Sequence, residues 1–192
     1  MAELRDIDGY LRRIGLRGRP TWQAIHQAHA TSIPFENLDP VAGIPVSLDV
    51  EALEDKLVRR RRGGYCFEHN LLLKAALESV GVDQIDLMLA RVRQGRTAGP
   101  RPRSHLVLRV VADGSVWHAD VGFGGDCLLE PIPFGPGPEV AQSGWRYRVV
   151  EDGPELVLQL WRDGGWAGLY GFVPEPPEPI DVEVANWYTC TN

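Results

Sequence analysis

Cys66 combines a reactive side chain with a sequence context that can activate it. It follows four arginines and two glycines in RRRRGGYCFEHN (residues 59–70), and the apolar run after it, LLLKAALESVG, predicts a helix that ends at Gly81. The free amides and the dipole at a helix N-terminus favour a thiolate, and paired glycines let a backbone approach closely or adopt a positive φ. Because a free cysteine is most often a small buried apolar residue, a nucleophile also needs a base and a group that orients the base.

His105 is the histidine that a predicted hairpin brings to a carboxylate. The Asp-Gly pair at 113–114 is a favoured two-residue hairpin turn, and a turn centred there places Val107 opposite Asp120. Strand side chains alternate, so His105 shares a face with Val107 and is a diagonal neighbour of Asp120. We expect the imidazole to donate its Nδ1–H to this carboxylate and to leave Nε2 for the thiol.

Other interpretations of the histidines stay open. His118 lies on the same face as His105, but it is nearer the turn and opposite Arg109, which lowers its value as a base. A His–Asp pair on neighbouring strands is also commonly a structural hydrogen bond. The remaining histidines lie on predicted helices and either have no acidic partner at helical spacing or point away from the thiol: His26, His29 and His69.

The composition indicates a globular protein that does not grip phosphate backbones. The sequence has 192 residues, of which 44% are hydrophobic, and a net charge of −6. The three cysteines, at 66, 127 and 190, are far apart and unpaired in spacing, and CxxC and HExxH motifs are missing. We therefore expect free thiols in a reducing cytoplasm and no structural zinc. The sequence also lacks a signal-peptide pattern and an apolar run of about eighteen residues.

The hydrophobic period changes near residue 86. Before this point the apolar residues recur with the helical period, for example in DIDGYLRRIGL and LDVEALEDKLVRR; after it they alternate, as in DLMLARVR, SHLVLRVV and LVLQLWR. Successive strands with short turns predict a small antiparallel barrel or sandwich. We predict an α+β protein in three parts: a helical domain with the nucleophile (1–85), a β domain with the histidine and aspartate (86–178) and the start of an interdomain helix (179–192).

Four stretches of the sequence resemble the motifs of one enzyme family and occur in its order and spacing: IPFENLD (33–39), RGGYCFEHN (62–70), RSHLVLRV (103–110) and DVGFGG (120–125). That family is the arylamine N-acetyltransferases, and the resemblance covers most of the chain. It implies an N-terminal helical bundle, an antiparallel β-barrel and a papain-like catalytic triad, which falls on Cys66, His105 and Asp120.

The resemblance also implies the chemistry. It predicts ping-pong transfer of an acetyl group from acetyl-CoA, the co-substrate, to the nitrogen of an arylamine, arylhydrazine or arylhydroxylamine, with an acetylated Cys66 as the intermediate. No metal, nucleic acid or membrane is expected as a partner. The further site residues that it implies are Phe35, Phe123 and Ser104 at the substrate, the Phe67 amide at the oxyanion, and a supporting ion pair between Arg62 and Glu36.

One segment of the family is expected to be missing. The sequence ends at NWYTCTN, about where a third segment begins that forms a lid and contributes to CoA binding. Since a lid helps to exclude water from a thioester intermediate, we expect a short form with impaired transfer and a tendency to hydrolyse acetyl-CoA.

Three alternatives to acetyl transfer are compatible with the sequence. An amide synthase could use the same triad to release a polyketide chain from a carrier protein, and a thiol hydrolase of papain-like logic could cleave a peptide. The third alternative is a binding module in which the three residues are structural. Fast, selective alkylation of Cys66 near neutral pH separates the enzymes from the module.

Overall fold

The computed structural model describes residues 4–82, 84–94 and 101–192. The helices are α1 (Ile7–Arg13), α2 (Trp22–Ser32), α3 (Leu38–Val41), α4 (Val50–Leu53), which continues as a π-helical segment (Glu54–Arg59), α5 (Cys66–Ser79) and α6 (Pro179–Thr191). The strands are β1 (Gln84–Val92), β2 (His105–Ala112), β3 (Ser115–Ala119), β4 (Ile132–Pro133), β5 (Val140–Gln142), β6 (Trp145–Asp152), β7 (Glu155–Arg162) and β8 (Gly165–Phe172).

The change from helices to strands lies where the periodicity predicts it, and the α+β class is confirmed. The division into the ranges 1–85, 86–178 and 179–192 stays a prediction, and residues 1–3, 83 and 95–100 of those ranges lie outside the described residues. Within the described part of the chain, no helix has the length and apolar character needed to cross a bilayer.

The helix predicted for LDVEALEDKLVRR is correct in place but not in winding. After α4 the chain widens into the π-helical segment, which is closed by a hydrogen bond from the Arg60 amide to the Asp55 carbonyl at 2.9 Å. This winding keeps Leu57 in the core and turns the buried Lys56 toward two carboxylates. The apolar pattern could not predict the change, because π-helical segments are rare and occur mostly as single turns inside α-helices.

The strands of the described residues form one antiparallel sheet in the order β4-β3-β2-β1-β8-β7-β6-β5. Its two edges approach each other where the Gln142 side chain accepts the amides of Leu129 and Glu130 and donates to the Glu130 carbonyl. Side-chain hydrogen bonds therefore bridge the edges, and the sheet is a nearly closed barrel, as the family resemblance implies.

The predicted hairpin between β2 and β3 has the predicted register. Val111 pairs with Val116 and Arg109 with His118, and the ladder ends just before Asp120. The turn residues 113 and 114 have φ values of 53° and 71°, the left-handed conformation that a tight two-residue hairpin requires. This local geometry brings the start of β2 beside the end of β3.

Strand β2 is buried on both faces, which positions the site. Leu108 and Val110 pack against α5 in the core between helices and sheet, whereas Val107 points into the barrel with Tyr170. Because α5 packs along β2, its N-terminus lies beside the first residue of that strand. Burial of these apolar side chains, each contributing about 1.5–3 kcal/mol, therefore holds Cys66 next to His105.

Candidate active site

Cys66 is the first residue of α5 and lies at one wall of a cavity of about 260 Å³. Its helix begins with a capping box in which the Glu68 carboxylate accepts the Tyr65 amide at 3.0 Å. The Cys66 Sγ lies 3.5 Å from the Ser104 carbonyl oxygen, and the side chain is 6% exposed. The thiol is thus buried among polar groups but reachable through the cavity.

The two glycines before Cys66 serve close approach and not a positive φ. A Cβ added at Gly63 would lie 2.0 Å from the Pro34 carbonyl oxygen, and one at Gly64 would lie 2.8 Å from a Glu68 carboxylate oxygen. The residue of this loop with a positive φ is Arg61, at 55°. The loop therefore packs directly against the segment that leads to Phe35.

His105 links the thiol to the carboxylate. Its Nε2 lies 2.8 Å from Asp120 Oδ2, and both side chains are almost fully buried. Cys66 and His105 line the same cavity and interact electrostatically, and since Nε2 binds Asp120, Nδ1 is the ring nitrogen left for the thiol. The structure brings together the three residues that the sequence analysis selected.

The predicted assignment of the two His105 nitrogens is wrong. We expected Nδ1 on Asp120 and Nε2 on the thiol, but the structure has Nε2 on Asp120, which leaves Nδ1 for the thiol. Asp120 lies beyond the last paired residue of β3 and diagonally across from His105, so the ring atom farthest from the backbone makes this contact. Nδ1, close to the backbone, then faces the helix that starts beside Ser104.

The charges of the pair follow from its surroundings. Burial alone lowers the pKa of His105, but the charge and hydrogen bond of Asp120 outweigh burial and raise this pKa to about 10. Burial likewise acts to raise the pKa of Asp120, yet His105, Asn70 and the Gly122 amide hold it well below its usual range. The resting pair is an imidazolium and a carboxylate.

Two residues that the sequence analysis did not select hold the Asp120 carboxylate. Asn70 Nδ2 donates to Oδ1 at 2.9 Å and the Gly122 amide donates to the same oxygen at 2.8 Å. Asn70 also accepts the Val121 amide at 3.1 Å. The sequence alone could have indicated Asn70, because it lies four residues after Cys66 and therefore on the same face of α5.

His26 holds the backbone of the same residue. Its Nε2 accepts the Asp120 amide at 3.2 Å and its Nδ1 contacts the Leu129 carbonyl at 3.2 Å. Because a carbonyl only accepts, Nδ1 carries the proton and the ring is neutral, in keeping with a pKa that burial lowers to about 4. We set His26 aside for lack of an acidic partner at helical spacing, but its partner is a backbone amide 94 residues away.

His118, the competing base, lies deeper in the barrel. Its Nε2 is 2.7 Å from the Tyr170 hydroxyl, and its ring stacks on Phe172 with centroids 5.2 Å apart. Burial lowers its pKa to about 4. Burial and the nearby charge of Asp120 hold the pKa of the Tyr170 hydroxyl well above its usual value, so the hydrogen-bond partner of His118 is a neutral phenol.

The residues expected at the substrate lie around the thiol. Phe35, Phe123 and Ser104 line the cavity together with Cys66 and His105. The Phe123 ring meets the His105 ring edge to face, with centroids 5.1 Å apart. Phe35, which is 49% exposed, supplies an aromatic surface on the opposite, helical side.

Comparison with known proteins decides the family. The N-acetyltransferase family model matches residues 20–192. The arylamine N-acetyltransferase of Mycolicibacterium smegmatis is 46% identical over 197 residues, which cover 97% of this chain and 71% of that protein. The chain belongs to the arylamine N-acetyltransferase family. It is an acetyltransferase enzyme, as the four motifs implied.

Solved structures of arylamine N-acetyltransferases have the same fold. The M. smegmatis enzyme superimposes with a TM-score of 0.93 at 45% identity and covers 98% of this chain and 72% of its own. The Mycobacterium marinum enzyme in complex with CoA gives 0.92 at 37% identity, covering 97% and 72%. A Salmonella typhimurium relative, named arylamine N-acetyltransferase / N-hydroxyarylamine O-acetyltransferase, is 40% identical over 178 residues, 90% of this chain and 62% of that protein.

The ion pair that the arylamine N-acetyltransferase resemblance implied belongs to a longer network. Arg62 lies 2.7 Å from Glu36 and 2.7 Å from Asp39, and Lys56 lies 2.7 Å from Asp39 and 2.7 Å from Glu68. The network joins the Phe35 segment to the first turn of α5. The roles of Lys56 and Asp39 could not be predicted from the sequence, because the π-helical winding that turns Lys56 inward leaves no mark in the apolar pattern.

Proposed function

We propose that this chain transfers the acetyl group of acetyl-CoA to an aromatic amine nitrogen by a ping-pong mechanism through an acetylated Cys66. The observation that carries the proposal is the position of His105, which binds Asp120 through Nε2 and lines the same cavity as the Cys66 thiol. The names of the relatives support arylamines as acceptors, and the CoA complex of the M. marinum enzyme supports the donor.

In the first half-reaction the Cys66 thiolate attacks the thioester carbonyl of acetyl-CoA. The bond between the acetyl carbon and Cys66 Sγ forms, the bond to the CoA sulfur breaks, and His105 Nδ1 gives its proton to the departing CoA thiolate. Asp120 remains a carboxylate and keeps the ring oriented. The products are CoA and an acetyl-enzyme with a neutral His105.

In the second half-reaction the amine nitrogen attacks the acetyl carbon. The carbon–Sγ bond breaks, the nitrogen loses a proton to His105 Nδ1, and the thiolate–imidazolium pair is restored. In both halves the Phe67 amide, in the first turn of α5 where amides have no helical acceptor, is our candidate donor to the oxyanion. Phe35 and Phe123 would hold the aromatic ring of the acceptor.

The test is a measurement of the two half-reactions apart. Acetyl-CoA alone should release one equivalent of CoA in a burst and leave one acetyl group on Cys66, detected by intact mass and peptide mapping. An arylhydrazine should then discharge the acetyl group. Cys66→Ser and Cys66→Ala should abolish both steps and keep the fold; a variant that transfers at the original rate would place the nucleophile elsewhere.

A second test compares the thiols. Burial raises the pKa of Cys127 to about 11, so iodoacetamide near neutral pH should modify Cys66 well before Cys127. Peptide mapping against time gives the two rates in one sample. If Cys66 reacts no faster than Cys127 and Cys190, the three residues are structural, and the chain is a binding module without catalytic activity.

A further inference from the structure

A chain of buried hydrogen bonds runs through the helical side and takes no part in the mechanism above. The Tyr10 hydroxyl lies 2.8 Å from His29 Nδ1, His29 Nε2 lies 2.9 Å from His69 Nδ1, and His69 Nε2 lies 3.2 Å from the Pro34 carbonyl oxygen. Tyr10, His29 and His69 are at most 1% exposed. The chain connects α1, α2 and α5 to the backbone just before Phe35.

The direction of every hydrogen bond in this chain is determined. A carbonyl oxygen only accepts, so His69 Nε2 carries a proton and donates to Pro34. Burial lowers the pKa of His69 to about 4 and holds that of His29 well below its usual value, so both rings are neutral. His69 Nδ1 must then accept from His29 Nε2–H, and His29 Nδ1 must accept from the Tyr10 hydroxyl.

The chain ends on the wall of the cavity. The Pro34 carbonyl that accepts from His69 also accepts the Gly64 amide at 3.3 Å, and the Glu36 amide donates to the Gly64 carbonyl at 2.8 Å. Phe35, between them, lays its ring parallel to the His69 ring, with an interplanar angle of 12° and centroids 6.4 Å apart. His69 therefore contacts both the backbone that carries Phe35 and the face of its ring.

We propose that His69, oriented by His29 and Tyr10, is a positioning residue for the acceptor: it fixes Phe35 as the surface on which a flat aromatic amine stacks. The inference rests on the function proposed above and deepens it. Because Phe35 is about half exposed, its orientation depends on these contacts more than on core packing. Aromatic acceptors should sense the loss of the contact, and small alkyl hydrazines and the attack on acetyl-CoA should not.

The experiment uses two amide substitutions of one residue. In His69→Gln the side-chain amide can occupy the Nε2 position and still donate to Pro34, whereas His69→Asn can accept from His29 but cannot reach Pro34. We expect His69→Asn to raise the KM for an arylhydrazine roughly tenfold and His69→Gln to raise it at most about twofold. For both variants, the rate of acetyl-Cys66 formation and the KM for an alkyl hydrazine should stay within about twofold.

A double substitution tests the route of the effect. If His69 acts through Phe35, the variant Phe35→Ala with His69→Asn should have the same KM for the arylhydrazine as Phe35→Ala alone. The inference is overturned if the two effects add in full, if both half-reactions slow equally, or if Asn and Gln at position 69 give the same KM.

An equilibrium measurement separates failure of this inference from failure of the proposed function. In a Cys66→Ala background, calorimetry gives the Kd of an arylamine with and without His69→Asn, and no catalysis is needed. If the unsubstituted chain forms no acetyl-Cys66, the proposed function fails, while an unchanged Kd refutes the positioning role alone.

If His69→Asn does not fold, Tyr10→Phe replaces it, with an expected rise of about two- to threefold in the aromatic KM or Kd; no rise refutes the role.

Discussion

His105 lines the cavity on its barrel side, and His69 stacks on Phe35, which lines the cavity on its helical side; both imidazole rings are almost fully buried. His105 faces the Asp120 carboxylate, and its pKa rises to about 10 although burial acts to lower it. His69 faces His29 and the Pro34 carbonyl, and burial lowers its pKa to about 4. Equal burial thus leaves one ring charged and the other neutral, and the difference is a carboxylate at 2.8 Å.

The comparison separates two kinds of support. On the barrel side, hydrogen bonds converge on Asp120 and keep it ionised, so that it can hold a protonated base. On the helical side, neutral dipoles line up in one direction and hold a backbone segment in place. The first arrangement serves proton transfer, and the second serves the shape of the cavity.

Removal of the Asp120 charge should have the largest effect. Asp120→Asn should turn the surroundings of His105 into those of His69, with a lowered imidazole pKa, and kcat/KM for acetyl transfer should fall roughly 10³- to 10⁴-fold. The matched control is Asp113→Asn, in the hairpin turn, where the carboxylate accepts from Trp22 and Gln23. That variant should keep kcat/KM within about threefold; equal losses in both variants would show that the effect is one of stability.

Disturbing the geometry but not the charge should have the second largest effect. An added Cβ at Gly122 would lie 2.7 Å from the Cys66 Cα and 2.9 Å from Asn70 Nδ2, so Gly122→Ala should push the Asp120 loop away from α5. We expect kcat to fall about 100-fold.

The matched control is Gly125→Ala. In the described part of the chain nothing lies within 4 Å of a Cβ at this position, and Gly125 has no positive φ. Its kcat should stay within about twofold. A Gly122→Ala enzyme with normal kcat would contradict the close contact between the loop and α5.

The pH dependence of stability should show the two kinds of histidine as slopes of opposite sign. His69 has a folded pKa of about 4, below the usual 6.5, so its contribution is complete above 6.5 and is lost as the pH falls toward 4. His105 has a folded pKa of about 10, so its contribution is complete below 6.5 and is lost as the pH rises toward 10. Each slope is at most about 1.4 kcal/mol per pH unit.

Urea unfolding from pH 4.5 to 9.5 measures these slopes. The free energy of unfolding should rise between pH 4.5 and about pH 6.5, and in this range His26 and His118 add to the slope of His69. Above pH 6.5 the free energy of unfolding should decline. His69→Gln should flatten the acidic limb only, and His105→Gln the alkaline limb only. A stability that rises steadily from pH 6.5 to 9.5 would mean that the His105 pKa is not raised.

Much of the site could be predicted because short-range rules determine it. The Asp-Gly turn fixes the register of β2 and β3, and the register brings His105 to Asp120. The helix that starts at Cys66 is encoded by its own apolar period. The four motifs indicated the arylamine N-acetyltransferase family, and the comparisons confirm this assignment. The short strands β4 and β5 were missed, because two or three residues are too few for an alternating pattern to show.

Tertiary structure decided how these parts meet. Which His105 nitrogen faces the thiol depends on where α5 lies relative to the barrel. The sequence near His105 does not determine the distance between α5 and the barrel. The glycines at 63 and 64 were compatible with a turn or a close contact until the Pro34 segment was in place. His26 and Asn70 bind groups 94 and 50 residues away. Their roles come from packing, because hydrogen bonds between distant segments form only when the core brings those segments within 3 Å or so of each other.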